Sequence, residues 1–169
     1  MLLLIVRHAR AGESDPAKYP DDTLRPLTRE GRAIHAEVSA ALRKRGVRPD
    51  LILSSPWKRA WQTALVMAKE FSSKKNKIKP KTAPSLAAAP DLEAIRAELE
   101  GIGEVSTVAL VGHEPWLSEL ASLLLAGDGG TVSIDFPKSG VLGIETASLE
   151  AGSGVLRFLL RPNLLKADR

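Results

Sequence analysis

"LLLIVRHARAG" (residues 2–12) runs five apolar residues, Leu2 to Val6, straight into Arg7 and His8. A continuous Leu/Ile/Val run of this length fits a strand buried on both faces of a parallel sheet. Parallel strands need crossover connections, so this strand predicts helices alternating with strands along the chain. The Arg-His pair has two readings. Polar residues are ordinary where a strand reaches the surface, yet ligands of open parallel sheets bind at the carboxyl ends of strands.

The rest of the chain follows the alternation. Residues 9–26 hold Gly, Ser, Asp and three prolines and read as a loop. Thr28 caps a helix running to about Arg45, stopped by Gly46, with Ile34, Val38, Ala41 and Leu42 as its apolar face. "DLILSS" (50–55) is a second strand, and Pro56 suits the first position of a helix over 56–72. A short strand is expected around Ile78, then a helix over 92–100 capped by Asp91. "TVALVG" (107–112) is a third buried strand, and Pro115 opens a helix to about Leu125. "VLGIETA" and "VLRFLLR" flank the turn "SLEAGSG" as an antiparallel hairpin at a sheet edge. The order β-α-β-α-β-α-β-α-β-β predicts one α/β domain over residues 1–169, with a mostly parallel sheet.

Composition narrows the chemistry. The 169 residues are 44% hydrophobic and 26% charged, as in an ordinary soluble protein. There is no cysteine, which excludes disulfides, thiolate metal sites and cysteine nucleophiles. The net charge of +4 suits anionic substrates or partners. Its densest part is "KKNKIKPK" (74–81), five lysines without an acid, read as a solvated loop whose sharper use would be docking an acidic protein. The opening apolar run is too short for a membrane span and lacks the basic flank of a signal peptide, so a cytoplasmic location without membrane contact is expected. Aromatic residues are only 4% and no stacking motif is present, which argues against nucleic acid. The glycines form no phosphate-binding Walker loop.

All three strong strands end on the same kind of residue. The first ends on Arg7-His8, the second in "SSPWKRAWQTA" with Arg59 one turn into the next helix, the third in "VGHEPWL" with His113 before a helix. Two of the three histidines and two arginines thus converge on one end of the sheet. Guanidinium forks match phosphate oxygens, and helix N-termini add backbone donors, so the set describes a phosphoryl pocket. Gly112 would let the backbone approach a ligand there. Ser54 or Ser55 could donate to phosphate, though serine is routine in such turns. Arg10 and Arg25 extend the basic rim or are merely solvated. His35 is read as structural or exposed. Of Trp57, Trp61 and Trp116, at least one is expected in the core, and one could line the pocket mouth.

"VRHARAG", "RPLTREG", "SSPWKRAWQTA" and "LVGHEPWLSELASLL" together resemble the signature segments of the histidine phosphatase superfamily. The short chain and the "RPLT" segment are similar to its SixA-type branch, the protein phosphohistidine phosphatases. The resemblance implies a phosphoglycerate mutase-like fold: a three-layer α/β/α sandwich with a mostly parallel sheet and an antiparallel C-terminal edge hairpin. It makes His8 the nucleophile, with Arg7, Arg59 and His113 holding the phosphoryl group. It implies no metal and no cofactor, since the protein supplies the positive charge. The partner it implies is a phosphorylated protein such as a histidine phosphotransfer domain.

Two departures from the family pattern stand out. Ala9 replaces the usual glycine after the first histidine. More telling, "TAPSLAAAPDLEAIRAELE" shows no equivalent of the carboxylate that serves many members as general acid; Glu93 there is a polar-face residue. Glu114 is a possible substitute, as in some acid phosphatases of the superfamily, although a carboxylate at a helix N-terminus also needs no catalytic reason. An imidazole leaving group, with a pKa of about 6.5, needs protonation far less than an alcohol does. The sequence therefore favours phosphohistidine as substrate. The rivals are a phosphatase of small phosphomonoesters on the same pocket and a non-catalytic phosphate- or phosphoprotein-binding module.

Overall fold

The computed structural model describes residues 1–166. Four strands, β1 (Leu2–Arg7), β2 (Leu51–Ser54), β3 (Lys81–Thr82) and β4 (Thr107–Gly112), run parallel. They are completed by the antiparallel hairpin of β5 (Val141–Thr146) and β6 (Gly154–Leu160). The sheet order is β3-β2-β4-β1-β5-β6. β1 and β4 therefore lie side by side at the centre, which explains their unbroken apolar runs.

Side chains alternate across these strands and divide the interior in two. Leu3, Ile5, Leu53 and Leu110 face α3 (Leu92–Leu99) and α4 (Trp116–Ala126), packing with Ile95, Leu117 and Leu120. Leu4, Val6, Ile52 and Val111 face α1 (Arg29–Lys44) and α2 (Lys58–Phe71), packing with Val38, Leu42, Ala64 and Met67. The expected three layers follow. No helix among the described residues is long and apolar enough to cross a membrane.

Some element limits differ from expectation. The short strand lies at Lys81–Thr82 instead of around Ile78, whose half-buried side chain packs against the core. Pro80 offers no amide hydrogen for a ladder, so pairing starts only after it. The second helix starts at Lys58, with Trp57 as its cap, so Pro56 sits in the turn before it. The inner face of α1 runs through Gly31, His35, Val38, Ser39 and Leu42, leaving Ile34 half-buried.

Gly31 explains the "REG" of the α1 start. The backbone of Arg10 crosses it so closely that a Cβ there would lie 2.2 Å from the Arg10 carbonyl oxygen. That carbonyl accepts from the Thr28 amide at 3.0 Å, while the Thr28 hydroxyl caps α1 by accepting from the Gly31 amide. The segment leaving β1 is thereby clamped to the start of α1.

His35 is fully buried, so the exposed reading fails and the structural one stands. Neither ring nitrogen has a hydrogen-bond partner among the described residues. Burial pushes its pKa from 6.5 down to about 4. The unfolded chain then binds the extra proton first, so this contribution is whole above pH 6.5 and fades as the pH falls towards 4, a loss of roughly 3 kcal/mol. Urea unfolding of the parent and of His35→Leu between pH 7 and 4 should show a clearly shallower pH dependence in the variant. Identical slopes would refute this role.

Candidate active site

The site forms where β1, β2 and β4 end. The register of β1 on β4 sets Arg7 opposite Gly112, and the His8 amide donates to the Gly112 carbonyl at 3.0 Å. His113 follows directly, so the two imidazoles stand 5.2 Å apart between centroids. Arg59 enters from the first turn of α2. Its guanidinium lies over the Trp57 ring at 4.7 Å, and Trp57 in turn is 4.5 Å from the His113 ring. Trp116 completes this wall at 6.0 Å from Trp57. Arg7, His8, Arg59 and His113 are thus brought together, as the sequence predicted.

Each is held in a defined way. His8 Nδ1 is 2.7 Å from the Ala9 carbonyl oxygen, which can only accept, so the proton sits on Nδ1. Nε2 is then the unprotonated nitrogen and has no hydrogen bond among the described residues. Burial is the main force pushing the His8 pKa down to about 4; the Ala9 hydrogen bond opposes it, and the charges of Arg59, Arg7 and Lys138 assist. His8 is therefore neutral at pH 7. His113 Nε2 lies 2.8 Å from the Ser55 hydroxyl. Burial first, then His8 and Arg59, push the His113 pKa down to about 3.

The arginines are anchored at one end only. Arg7 Nη1 donates to the Phe136 carbonyl at 2.5 Å, and Arg59 Nη1 donates to the Asp22 carbonyl at 2.9 Å and pairs with its carboxylate at 3.0 Å. Asp22 also pairs with Arg25 at 2.8 Å. The Arg25 hydrogen bond is the chief reason the Asp22 carboxyl is held below its usual range. Arg7 Nε, Arg59 Nε and His113 Nδ1 are buried without a partner among the described residues. Two unpaired guanidinium donors beside the two imidazoles define a place for an acceptor-rich anion.

Other expectations need adjusting. Gly112 approaches protein instead of ligand: a Cβ there would lie 3.1 Å from both the Leu86 carbonyl oxygen and the Leu117 side chain. Ser55 orients His113, while Ser54 donates back to the Ser55 carbonyl. Arg25 belongs to the site through Asp22, whereas Arg10 pairs with Glu30 at the surface. Glu114 has Oε2 accepting from the Ser118 hydroxyl at 2.6 Å, and its buried Oε1 has no partner among the described residues. Burial raises its pKa, with Ser118 and Arg7 opposing. Glu93 pairs with Arg96 and points to solvent.

Sequence reasoning missed Thr63. The Thr63 hydroxyl accepts from the Ala9 amide at 3.0 Å and donates to the Arg59 carbonyl at 2.7 Å, tying the segment after His8 to the helix that carries Arg59. It lies inside the quoted "SSPWKRAWQTA", one helical turn past Arg59, and that spacing was the available signal.

A model of the histidine phosphatase superfamily (branch 1) matches residues 3–86. An uncharacterised protein of Picosynechococcus sp. (strain ATCC 27264 / PCC 7002 / PR-6) is 32% identical over 164 residues, 95% of each chain. The chain belongs to the histidine phosphatase superfamily. It is an enzyme of the phosphatase type. Its structure is similar to that of the protein histidine phosphatase SixA complexed with tungstate, with a TM-score of 0.80 at 24% identity, covering 98% of this chain and 100% of that one. A structure from Agrobacterium tumefaciens assigned as the phosphohistidine phosphatase SixA matches with a TM-score of 0.74 at 25% identity over 95% and 97% of the two chains. The alpha-ribazole phosphatase of Shigella flexneri shares the fold at a TM-score of 0.70 and 18% identity, over 96% and 97%.

The depressed His8 pKa fixes the acid limb of activity. Protonation would block Nε2, so kcat/KM should fall as the pH drops through about 4, once the substrate's own ionisation is allowed for. A limb at 6.5 would show that burial does not depress His8. Thr63→Val keeps the shape but leaves the Ala9 amide unpaired, and should lower kcat about tenfold in steady-state assays. An unchanged kcat would show that this tie is dispensable.

Proposed function

We propose that the chain removes the phosphoryl group from phosphohistidine in a protein, through a phosphohistidine formed on His8. The observation that carries this reading is the fixed tautomer of His8: Nε2 is unprotonated, unbonded and set beside Arg7 and Arg59. In the first step His8 Nε2 forms a bond to phosphorus as the bond to the substrate imidazole breaks. The departing nitrogen keeps the electron pair and takes a proton from solvent. Arg7, Arg59 and His113 hold the non-bridging oxygens as charge redistributes. Water then attacks phosphorus, the bond to His8 breaks, and inorganic phosphate leaves as the imidazole regains its lone pair.

The substrate class is supported by what the pocket offers as acid. Asp22, the carboxylate that contacts Arg59, is committed to Arg59 and Arg25. It is not free to protonate an alkoxide. The SixA structures named above agree with a phosphohistidine substrate, and a phosphotransfer domain acting in signal transduction is the partner this chemistry fits. A second reading, a phosphatase of small phosphomonoesters, is favoured by one observation: burial raises the Glu114 pKa, as a general acid requires.

Rates on free phosphohistidine and on an alkyl phosphate decide between the two. We expect phosphohistidine to be cleaved at least a hundredfold faster, Glu114→Gln to leave that rate unchanged, and an acid-labile phosphoenzyme to vanish in His8→Ala. Fast alkyl phosphate hydrolysis that Glu114→Gln abolishes would establish the second reading.

A further inference from the structure

The turn Phe136–Gly140 is fastened to the end of β1 from several sides. The Phe136 carbonyl accepts from Arg7 Nη1, and the Gly140 carbonyl accepts from the Arg7 amide at 3.1 Å. The Ser139 amide donates to the carbonyls of Arg7 and His8 at 3.2 and 3.3 Å, and the Gly140 amide closes the turn on the Pro137 carbonyl at 2.8 Å. Ser139 is buried and adopts φ 63°, a left-handed conformation that a serine takes only under constraint. Gly140 has no room for a side chain, since a Cβ would lie 2.8 Å from the Pro137 carbonyl oxygen. The turn therefore has one shape, and the nucleophile's own strand sets it.

Lys138 is the exposed residue at the tip of this turn. Partial desolvation of its ammonium first, then the charges of Arg7, Arg25, Arg10 and Arg59, push its pKa down, and Lys138 in turn acts on His8. Its situation differs from theirs. Arg59 and Arg25 share Asp22, Arg10 has Glu30, and Arg7 has the Phe136 carbonyl. Lys138 has no ion-pair or hydrogen-bond partner among the described residues. The tied turn therefore presents an ammonium without a counter-ion next to the strand end that carries Arg7 and His8, where an anion would complete it.

We infer that Lys138 is a phosphoryl-binding residue: from the tip of the Phe136–Gly140 turn its ammonium donates to a non-bridging oxygen of the group that His8 attacks. This rests on the phosphoryl-transfer reading of the site, but not on the identity of the leaving group. An ammonium on a flexible stem can follow the oxygens as phosphorus moves towards His8, whereas the anchored guanidiniums keep their places.

Calorimetric titration with sodium tungstate tests this without turnover. The parent should bind the oxyanion, Lys138→Met should weaken binding about tenfold, and Lys138→Arg should restore most of it. Unchanged thermal midpoints would confirm that both variants fold. With free phosphohistidine, Lys138→Met should lower kcat/KM by at least the same factor. Tungstate binding equal to the parent's in Lys138→Met would overturn the inference. So would a loss confined to phosphorylated proteins, which would make Lys138 a reader of the substrate's flank. A parent that binds tungstate but leaves phosphohistidine intact would overturn the proposed substrate, while the Lys138 comparison would still decide this residue's role.

Discussion

The register between the two central strands is the constraint on which the site depends. Arg7 is paired with Gly112, and each strand hands over its histidine one residue later. Side chains alternate along a strand, so a slip of one residue would turn His8 from the pocket into the packing layer. The same slip would move Leu3 and Leu4 to opposite faces, and both are fully buried in separate clusters. The apolar core thus fixes the distance between the two imidazoles more firmly than any contact within the pocket.

The segment that leaves β1 needs further fixing, because a chain emerging from a sheet has no ladder to hold it. Three devices do this from different elements. Gly31 admits the Arg10 backbone against α1, Thr63 holds the Ala9 amide against α2, and the Ser139 amide holds the Arg7 and His8 carbonyls. The Ala9 carbonyl is left to set the His8 tautomer. The fold therefore grips the main chain of residues 7–10 and so positions His8.

Much of this was legible beforehand because it is written in periodicity. Buried strands announce themselves as apolar runs, and their carboxyl ends placed Arg7, His8, Arg59 and His113 together before any coordinates. Thr28 and Asp91 capped their helices as read. What escaped depends on separations of many residues or on backbone course. Nothing in the pattern around Lys138 shows that its turn folds back over β1, since the bonds that do this come from main-chain atoms. His35 stayed open between a structural and an exposed reading, and the buried face of α1 through Gly31, Val38, Ser39 and Leu42 decides for the structural one. Gly112 drew a ligand-based explanation because a glycine beside a histidine suggests one. The tight contact is with Leu86 and Leu117.

Asp22 gives the pocket a property that its cations alone would not have. Without Asp22, Arg59 and Arg25 would present two uncompensated guanidiniums to any anion that enters. The carboxylate between Arg59 and Arg25 already occupies part of their hydrogen-bonding capacity before any substrate arrives. An incoming phosphoryl group gains only the difference. Asp22 thus lowers the net positive charge that an incoming anion meets beside Arg59.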